Sequence, residues 1–289
     1  GGVQGDELVH RVRLHEALAG RPFTRYPLRA LLAPRVTVRR ARVRAVSTAA
    51  KAVTLDDGAT LSYDALVCAL GSAVSLRTPG AARYADGLRD VSTALRDAAR
   101  LAALPEGARV TVVGGGMTAV EVATEVAEAH PGLVVSLACD RLFDDFRDEA
   151  QRYVRDTLAA LRVTVREGVT AREVTDVDVA LSDGTRLPSS LTVWAAGFDA
   201  RSPEVTADWP LDARGRIAVD DALAVPGADG VFAAGDAAAG LGEALRMGCV
   251  TAMPMGAHAA DSALRYLRGE APTPFSFGFV VRCVSLGRR

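Results

Sequence analysis

The clearest chemistry in the chain lies in residues 109–126, RVTVVGGGMTAVEVATEV. Gly114, Gly116 and Ala119 stand at the three small positions of a G-x-G-x-x-G/A spacing. The first glycine lets the chain turn sharply. The second has no side chain, so a pyrophosphate can approach the backbone, and the small third residue lets a helix pack close on a strand. A helix starting at Met117 and Thr118 then offers free N–H groups and the positive end of its dipole to phosphate. The flanks supply the elements this turn needs. Arg109 to Val113 is a run of β-formers, and Val120, Ala123, Thr124 and Ala127 recur at helical spacing. Strand, glycine turn and helix in this order predict a dinucleotide site. A βα turn that binds nothing is the plain alternative.

The chain has 289 residues and a formal net charge of −1. That length is enough for one large or two medium domains with real cores. No basic stripe marks it as a nucleic-acid binder. No apolar run reaches the length of a membrane-spanning helix, and no secretory signal is visible. Its four cysteines, Cys68, Cys139, Cys249 and Cys283, form neither a C-x-x-C pair nor a metal set. Free thiols in a reducing cytoplasm are expected.

Along the chain, residues 26–33 read as a short helix with Pro27 near its first turn. Residues 36–62 alternate like a β-meander or hairpin, with Asp57-Gly58 in a tight turn. ALVCALGS (65–72) reads as a buried strand ending in a glycine, and 91–103 as an amphipathic helix. After the glycine motif come a second strand (133–138) and a helix (147–161), then short strands with a turn at Asp183-Gly184. LTVWAAGF (191–198) is another buried strand ending in glycine, and since each follows an Asp-Gly turn and a short strand, the same submodule occurs twice. Strands are expected at 216–219 and 230–234, a long helix with Pro254 inside it at 243–268, and a strand-like tail at 274–286.

Four pieces in this order resemble the two-dinucleotide-binding-domain flavoproteins, the pyridine nucleotide–disulfide oxidoreductase superfamily. They are ALVCALGS (65–72), VVGGGMTAVE (112–121), VWAAGF (193–198) and GRIAVDDALAVPGADGVFAAGDAA (215–238). Within that superfamily the chain looks most like the branch of type II NADH dehydrogenases. The resemblance implies an α/β fold of two interleaved Rossmann-like domains. The FAD domain would be discontinuous, over 1–103 and 215–289, with an NAD(P) domain at 104–214 between its parts. It implies FAD and NAD(P)H as cofactors, with hydride passing from NAD(P)H to the flavin and then to a small-molecule acceptor. It places Asp236, after Gly235, on the ribityl–phosphate part of FAD, with Arg13, Val46, Ala69, Gly71, Met253 and Pro254 also on the flavin side. Ala196 and Gly197 fall with the NAD(P) set. A helix-capping role for Asp236 is the alternative.

The departures set limits on that resemblance. The family's FAD domain opens with its own strand, glycine turn and helix, and no such motif precedes residue 65. The expectation is a fragment that lacks roughly 30 or more residues of that start, with poor FAD affinity if nothing else supplies them. No redox cysteine pair and no C-terminal His-Glu pair are in view. CVTAMPMG (249–256) has Val250 and Pro254 where the type II enzymes carry two glutamines, so quinone is doubtful as the acceptor. A ferredoxin-reductase-like system and a non-catalytic nucleotide-binding remnant are the alternatives.

Glu121 has two readings. By resemblance it lies near the nicotinamide and orients its carboxamide, and as an acid near a helix N-terminus it offsets the dipole. Cys139, Asp140 and Arg141 follow the second strand, where an acid binds a ribose 2′-hydroxyl and an arginine accommodates a 2′-phosphate. The mixture leans to NADH. By resemblance His15 falls near the flavin's acceptor side, where it could hand a proton to a reduced acceptor; an ordinary surface or capping histidine is the alternative. His258 and Trp194 are expected to be structural. A homodimer is left open, as is peripheral association of a cytoplasmic protein with the inner face of a membrane.

Overall fold

A computed structural model describes the chain apart from residues 1, 5–6, 10–12, 23, 201–208, 240–246, 279–281 and 289. In chain order, β1 (Gly2–Gln4), β2 (Glu7–Val9) and β3 (Arg25–Pro27) form a small antiparallel sheet, with α1 (Leu14–Leu18) between β2 and β3. After α2 (Leu28–Leu31), the strands β4 (Val43–Ser47), β5 (Ala52–Leu55) and β6 (Thr60–Ser62) make an antiparallel meander. There follow β7 (Leu66–Cys68), β8 (Ser72–Val74), α3 (Ala81–Tyr84), β9 (Ala85–Gly87) and α4 (Val91–Ala102). The motif region gives β10 (Arg109–Val113), α5 (Met117–Ala129), β11 (Val134–Cys139), α6 (Asp148–Ala160) and β12 (Thr164–Glu167). A second meander, β13 (Ala171–Val174), β14 (Asp178–Leu181) and β15 (Arg186–Pro188), leads into β16 (Leu191–Trp194) and β17 (Phe198–Ala200). The chain continues with β18 (Ile217–Ala218), β19 (Val231–Ala233), a single helical turn at Gly235–Ala237, β20 (Ala238–Ala239) and α7 (Cys249–Leu267).

These elements fall into two compact units. The first comprises Gly1–Pro27, Val74–Gly197 and Val281–Arg289. Its centre is a five-stranded parallel sheet in the order β12-β11-β10-β16-β9. A parallel sheet must be covered on both faces, because its crossovers put structure on each. Val110, Val112, Leu137, Leu191 and Val193 face one core, shared with α1, α4, α5 and α6. Val113, Ala138 and Trp194 face the other, shared with α3 and the β13–β15 meander. The second unit comprises Leu28–Ala73 and Phe198–Val280. In it β7 pairs parallel with β19, and Val231, Phe232 and Ala233 pack with Met255, Ala259 and Ala263 of α7.

Helix α4 shows how local sequence fixes an element. Asp90, extended at the N-cap, accepts from the Thr93 amide at 2.7 Å and satisfies a donor that the first turn would leave open. Asp90→Ala will cost about 1 kcal/mol, read as a lower urea midpoint at unchanged slope. Asp90→Asn, which keeps an acceptor, will recover most of it.

The repeated module is real. A three-stranded meander precedes β7 in one unit and β16 in the other, and each of these parallel strands runs into a glycine, Gly71 or Gly197. Other expectations change. The helix expected over 26–33 shrinks to the single turn α2, because Arg25–Pro27 pairs with β2 instead. The meander begins at Val43, and residues 36–42 carry no regular structure. The strand read as buried at 65–72 is only part-buried, with Val67 37% exposed. The tail is not a strand: described residues 271–278 and 282–288 have no regular structure. The long helix begins at Cys249, and 243–246 lie outside the described residues.

Candidate functional site

The glycine turn sits at the carboxyl edge of the parallel sheet, between β10 and α5, where ligands bind in folds of this kind. Its shape is enforced from two sides. Gly114 has φ +138°, a conformation side chains rarely adopt, and a Cβ there would stand 2.5 Å from the Ala195 carbonyl oxygen. A Cβ on Gly115 would stand 1.9 Å from the Arg141 carbonyl oxygen and 3.0 Å from the Cys139 Cβ. The neighbouring strand ends clamp the turn by hydrogen bonds. The Gly114 amide donates to Ala138 O at 2.9 Å, and the Phe143 amide donates to Gly115 O at 2.7 Å.

Gly116 is different. It is exposed, and a Cβ there would meet nothing within 4 Å. It is the N-cap of α5 and provides no side-chain hydrogen bond to the helix. The first turn of a 13-residue helix therefore opens onto free space with its amides uncapped. Ala119 is fully buried and lets α5 lie close to the sheet. The fit to a dinucleotide pyrophosphate is good: donors, dipole and clearance converge, and no carboxylate in the turn opposes an anion.

The expected NAD(P) residues come together around this turn in one unit. Met117 and Thr118 open α5, Ala196 and Gly197 follow β16 alongside Gly114, and Cys139 ends β11 with Asp140 and Arg141 just after it. Cys139 is 4% exposed, and burial, with Glu167 nearby, pushes its thiol up to about 12. It floors the turn as a neutral group. Asp140 and Arg141 are the exposed pair, and Arg141 leans to Asp144 at 3.1 Å. Glu121, one turn into α5, is mostly buried; its Oε2 lies 3.6 Å from His15 Nδ1, and its Oε1 accepts from the Ser285 amide at 3.2 Å. Burial is the main cause that pushes its carboxyl up to about 7, opposed by the Ser285 amide and reinforced by Glu16 and Glu125.

The expected flavin residues divide. In the second unit, Asp236 follows β19 and Gly71 follows β7. Asp236 accepts from the Ser72 hydroxyl at 2.6 Å and from the Gly248 amide at 2.8 Å. It thus ties two chain segments to the start of α7. Each carboxylate oxygen keeps a further lone pair, so the site fits the hydroxyls of a ribityl chain. Ala69 is exposed, and Val46 on β4 packs beside the second unit's core. On α7, Met255 is buried while Met253 is 71% exposed and Pro254 interrupts the amide ladder. Arg13 belongs to the other unit, where its guanidinium forks Glu16 at 2.7–3.0 Å. His258 bonds Thr273 O at 3.0 Å and holds the segment after α7.

Sequence reasoning passed over Gly115, Ser72 and Gly248. The motif treats position 115 as free, yet among the turn's three glycines it is the one where a methyl meets backbone closest. A third consecutive glycine was the signal. Among the described residues no cluster of His, Cys, Asp and Glu is placed to hold a metal, and no helix is long and apolar enough to cross a membrane.

Comparison with known proteins agrees with this geometry. The family described as "Pyridine nucleotide-disulphide oxidoreductase" matches residues 6–262. An NADH dehydrogenase-like protein of Mycobacterium tuberculosis is 32% identical, with 99% of this chain and 77% of that protein aligned. The ferredoxin–NAD(+) reductase component of a p-cumate 2,3-dioxygenase system from Pseudomonas putida is 33% identical over 65% of this chain and 47% of its own length. Among solved structures, a ferredoxin reductase from Rhodopseudomonas palustris superposes with TM-score 0.79 at 23% identity, over 94% of this chain and 70% of that one. NDH2 from Plasmodium falciparum in complex with NADH superposes with TM-score 0.71 at 19% identity, over 81% of this chain and 58% of that one. The fold is therefore the α/β fold of FAD- and NAD(P)-binding oxidoreductases, and the chain belongs to the pyridine nucleotide–disulphide oxidoreductase family, whose members are NAD(P)H-dependent flavoproteins.

Proposed function

We propose that the chain binds NADH at the Gly114–Ala119 turn and serves an FAD-dependent transfer of its electrons to an acceptor other than quinone. The observation that carries this is the uncapped start of α5, facing open space at Gly116 behind a turn that tolerates no side chain at Gly114 or Gly115. The flavin, when bound, supplies the hydride acceptor and passes electrons on in single or paired steps. The chain's own residues bind, orient and insulate. The amides of Gly116, Met117 and Thr118 hold the pyrophosphate, and Glu121 accepts from the nicotinamide carboxamide. Asp236, braced by Ser72 and Gly248, accepts from the flavin's ribityl hydroxyls. The proposed division is an FAD domain over 1–103 and 215–289 around an NAD(P) domain at 104–214.

NADH rather than NADPH is favoured by Asp140, which stands exposed after β11 while Arg141 is held by Asp144. A carboxylate there accepts from a ribose 2′-hydroxyl and repels a 2′-phosphate. Asp140→Ser is expected to weaken NADH binding by about 1–2 kcal/mol, or roughly tenfold, and to leave NADPH binding equal or better. Fluorescence titration with each nucleotide measures both. Unchanged NADH affinity in this variant would remove Asp140 from the site.

The acceptor reading rests on Val250 and Pro254 at the start of α7 and on the likeness to a ferredoxin reductase component. Anaerobic mixing of flavin-loaded protein with NADH tests the whole proposal. The visible flavin band should bleach, and colour should return with a ferredoxin-type carrier faster than with quinone. A protein that binds NADH but never bleaches the flavin is a nucleotide-binding remnant.

A further inference from the structure

Phe143, in the segment that follows β11, has φ +56°. The left-handed region crowds the Cβ of a bulky residue, so an aromatic residue stays there only where its surroundings over-determine it. Those surroundings are in place. Phe143 is 2% exposed, and its ring stacks on that of Phe146, with centroids 3.7 Å apart and planes 10° from parallel. The segment is braced on both sides of it. The Leu142 amide donates to Glu167 Oε1 at 2.9 Å, and Arg155 holds the same carboxylate at 2.7 Å. On the other side Gln151 of α6 donates to Phe146 O at 2.9 Å.

This bracing delivers one group to the glycine turn. The Phe143 amide donates to Gly115 O at 2.7 Å, and two residues earlier the Arg141 carbonyl oxygen stands where a Cβ on Gly115 would go. One segment thus holds Gly115 at its oxygen and at its Cα. A peptide is planar, and in the trans form its C=O and N–H point in opposite directions. The described chain contains no cis peptide. Fixing Gly115 O on Phe143 therefore fixes the Gly116 N–H of the same peptide, turned away from the segment. The bond at the carbonyl end also polarises the peptide and makes its N–H a better donor. Gly116 is exposed and is the N-cap of α5, so this N–H belongs to the uncapped start of the helix.

We propose that Phe143 is a positioning residue for the dinucleotide: its amide, held in a left-handed conformation by a buried and stacked ring, aims the Gly116 N–H at the pyrophosphate. That role rests on the reading that the Gly114–Ala119 turn binds NADH. Phe143 acts through the Gly115 peptide and not by contact with the nucleotide. The ring keeps φ where the amide reaches Gly115. A residue that relaxes to negative φ withdraws the donor, and the Gly116 N–H is then free to swing.

Two experiments test this. The first removes the N–H alone. Phenyllactic acid at position 143, introduced by nonsense suppression, keeps the ring and puts an ester oxygen where the amide nitrogen stood. In this protein without nucleotide the Gly116 amide resonance should move, and NADH affinity should fall roughly tenfold. A Gly116 resonance that stays in place overturns the proposal, and so does unchanged NADH affinity. If the ester protein binds NADH normally while Gly116→Ala does not, the turn is still the dinucleotide site and only the role of Phe143 fails. If both bind normally, the reading of the turn fails as well. The second experiment compares Phe143→Gly with Phe143→Val. Glycine enters the left-handed region freely but discards the ring, whereas valine keeps an apolar side chain whose branched Cβ resists that region. On the folded fraction of each, Phe143→Gly should bind NADH several-fold more tightly than Phe143→Val. Equal affinities, or valine above glycine, are what packing alone gives, and either overturns the proposal. Should one of these variants not fold, the ester protein, which keeps every side chain, decides by itself.

Discussion

Gly115→Ala will abolish useful dinucleotide binding and destabilise the protein, while Gly116→Ala will damage binding alone. The contrast follows from where each methyl would go. On Gly115 it would stand 1.9 Å from the Arg141 carbonyl oxygen, which is backbone and cannot rotate away as a side-chain end could. Either β10 and the segment after β11 separate or the turn changes shape. Overpacking of this sort costs about 1–3 kcal/mol, a drop of several degrees in melting temperature for a chain of this size. The same displacement moves the first amides of α5 away from the phosphate. If about 3 kcal/mol falls on the binding-competent state, affinity falls roughly 100-fold. On Gly116 the methyl meets nothing in the protein. Stability should change by no more than about 1 kcal/mol, the cost of alanine at an N-cap, yet the methyl occupies the approach to the helix amides. Calorimetry and NADH titration on the two variants give four numbers. Equal loss of stability in both would mean that Gly116 is not open to solvent.

The second large effect concerns stability alone. Glu125→Gln should cost about 2 kcal/mol, below the 3–5 kcal/mol typical of breaking a buried pair, because its partners Arg21 and Arg288 are each about a third or more exposed and partly rehydrate. The carboxylate itself is fully buried. An amide in its place points at least one donor at a guanidinium. The urea midpoint should fall accordingly. Limited proteolysis should release the 282–288 segment earlier, since Ser285 and Arg288 both bond glutamates of α5. Arg288→Ala should cost much less, its charge being the exposed partner. A Glu125→Gln protein as stable as the wild type would show that these ion pairs are neutral to folding.

The helix that carries all this was only half legible. The periodic positions Val120, Ala123, Thr124 and Ala127 are indeed buried, but so are Val122, Glu125 and Val126. α5 is enclosed on nearly every side, because α1 and the tail residues Val284 and Leu286 cover the face away from the sheet. Nothing local marks that. The tail is recognised through ion pairs and backbone amides from segments more than 100 residues away, and such partners leave no periodicity in the chain. For the same reason 274–286 reads as a strand: among its described residues Phe275, Val284 and Leu286 pack against the cores and none joins a ladder. The turn itself was legible because its requirements are local. Clearance at Gly116, curvature at Gly114 and close packing at Ala119 are each written in one residue type. Gly115 escaped because its constraint comes from Arg141, across the sheet edge. The place of Asp236 just after a strand was legible from VFAAGD, but Ser72 and Gly248, which brace it, are joined only in three dimensions.

His15 changes meaning most. The resemblance offers a proton donor to an acceptor, and the sequence an ordinary surface or capping histidine; the surface reading is wrong, since His15 is buried. In the fold it lies buried, its Nδ1 3.6 Å from Glu121 Oε2 on α5.

Backbone amide NMR during NADH titration tests the central claim most directly, since it reports where the dinucleotide sits without relying on turnover. The largest shifts should fall on Gly115, Gly116, Met117 and Thr118, with a second group at Asp140 and Arg141 and none in Gly116→Ala at the same concentration. Shifts centred away from the start of α5, or unchanged by Gly116→Ala, would contradict the assignment of this turn as the dinucleotide site.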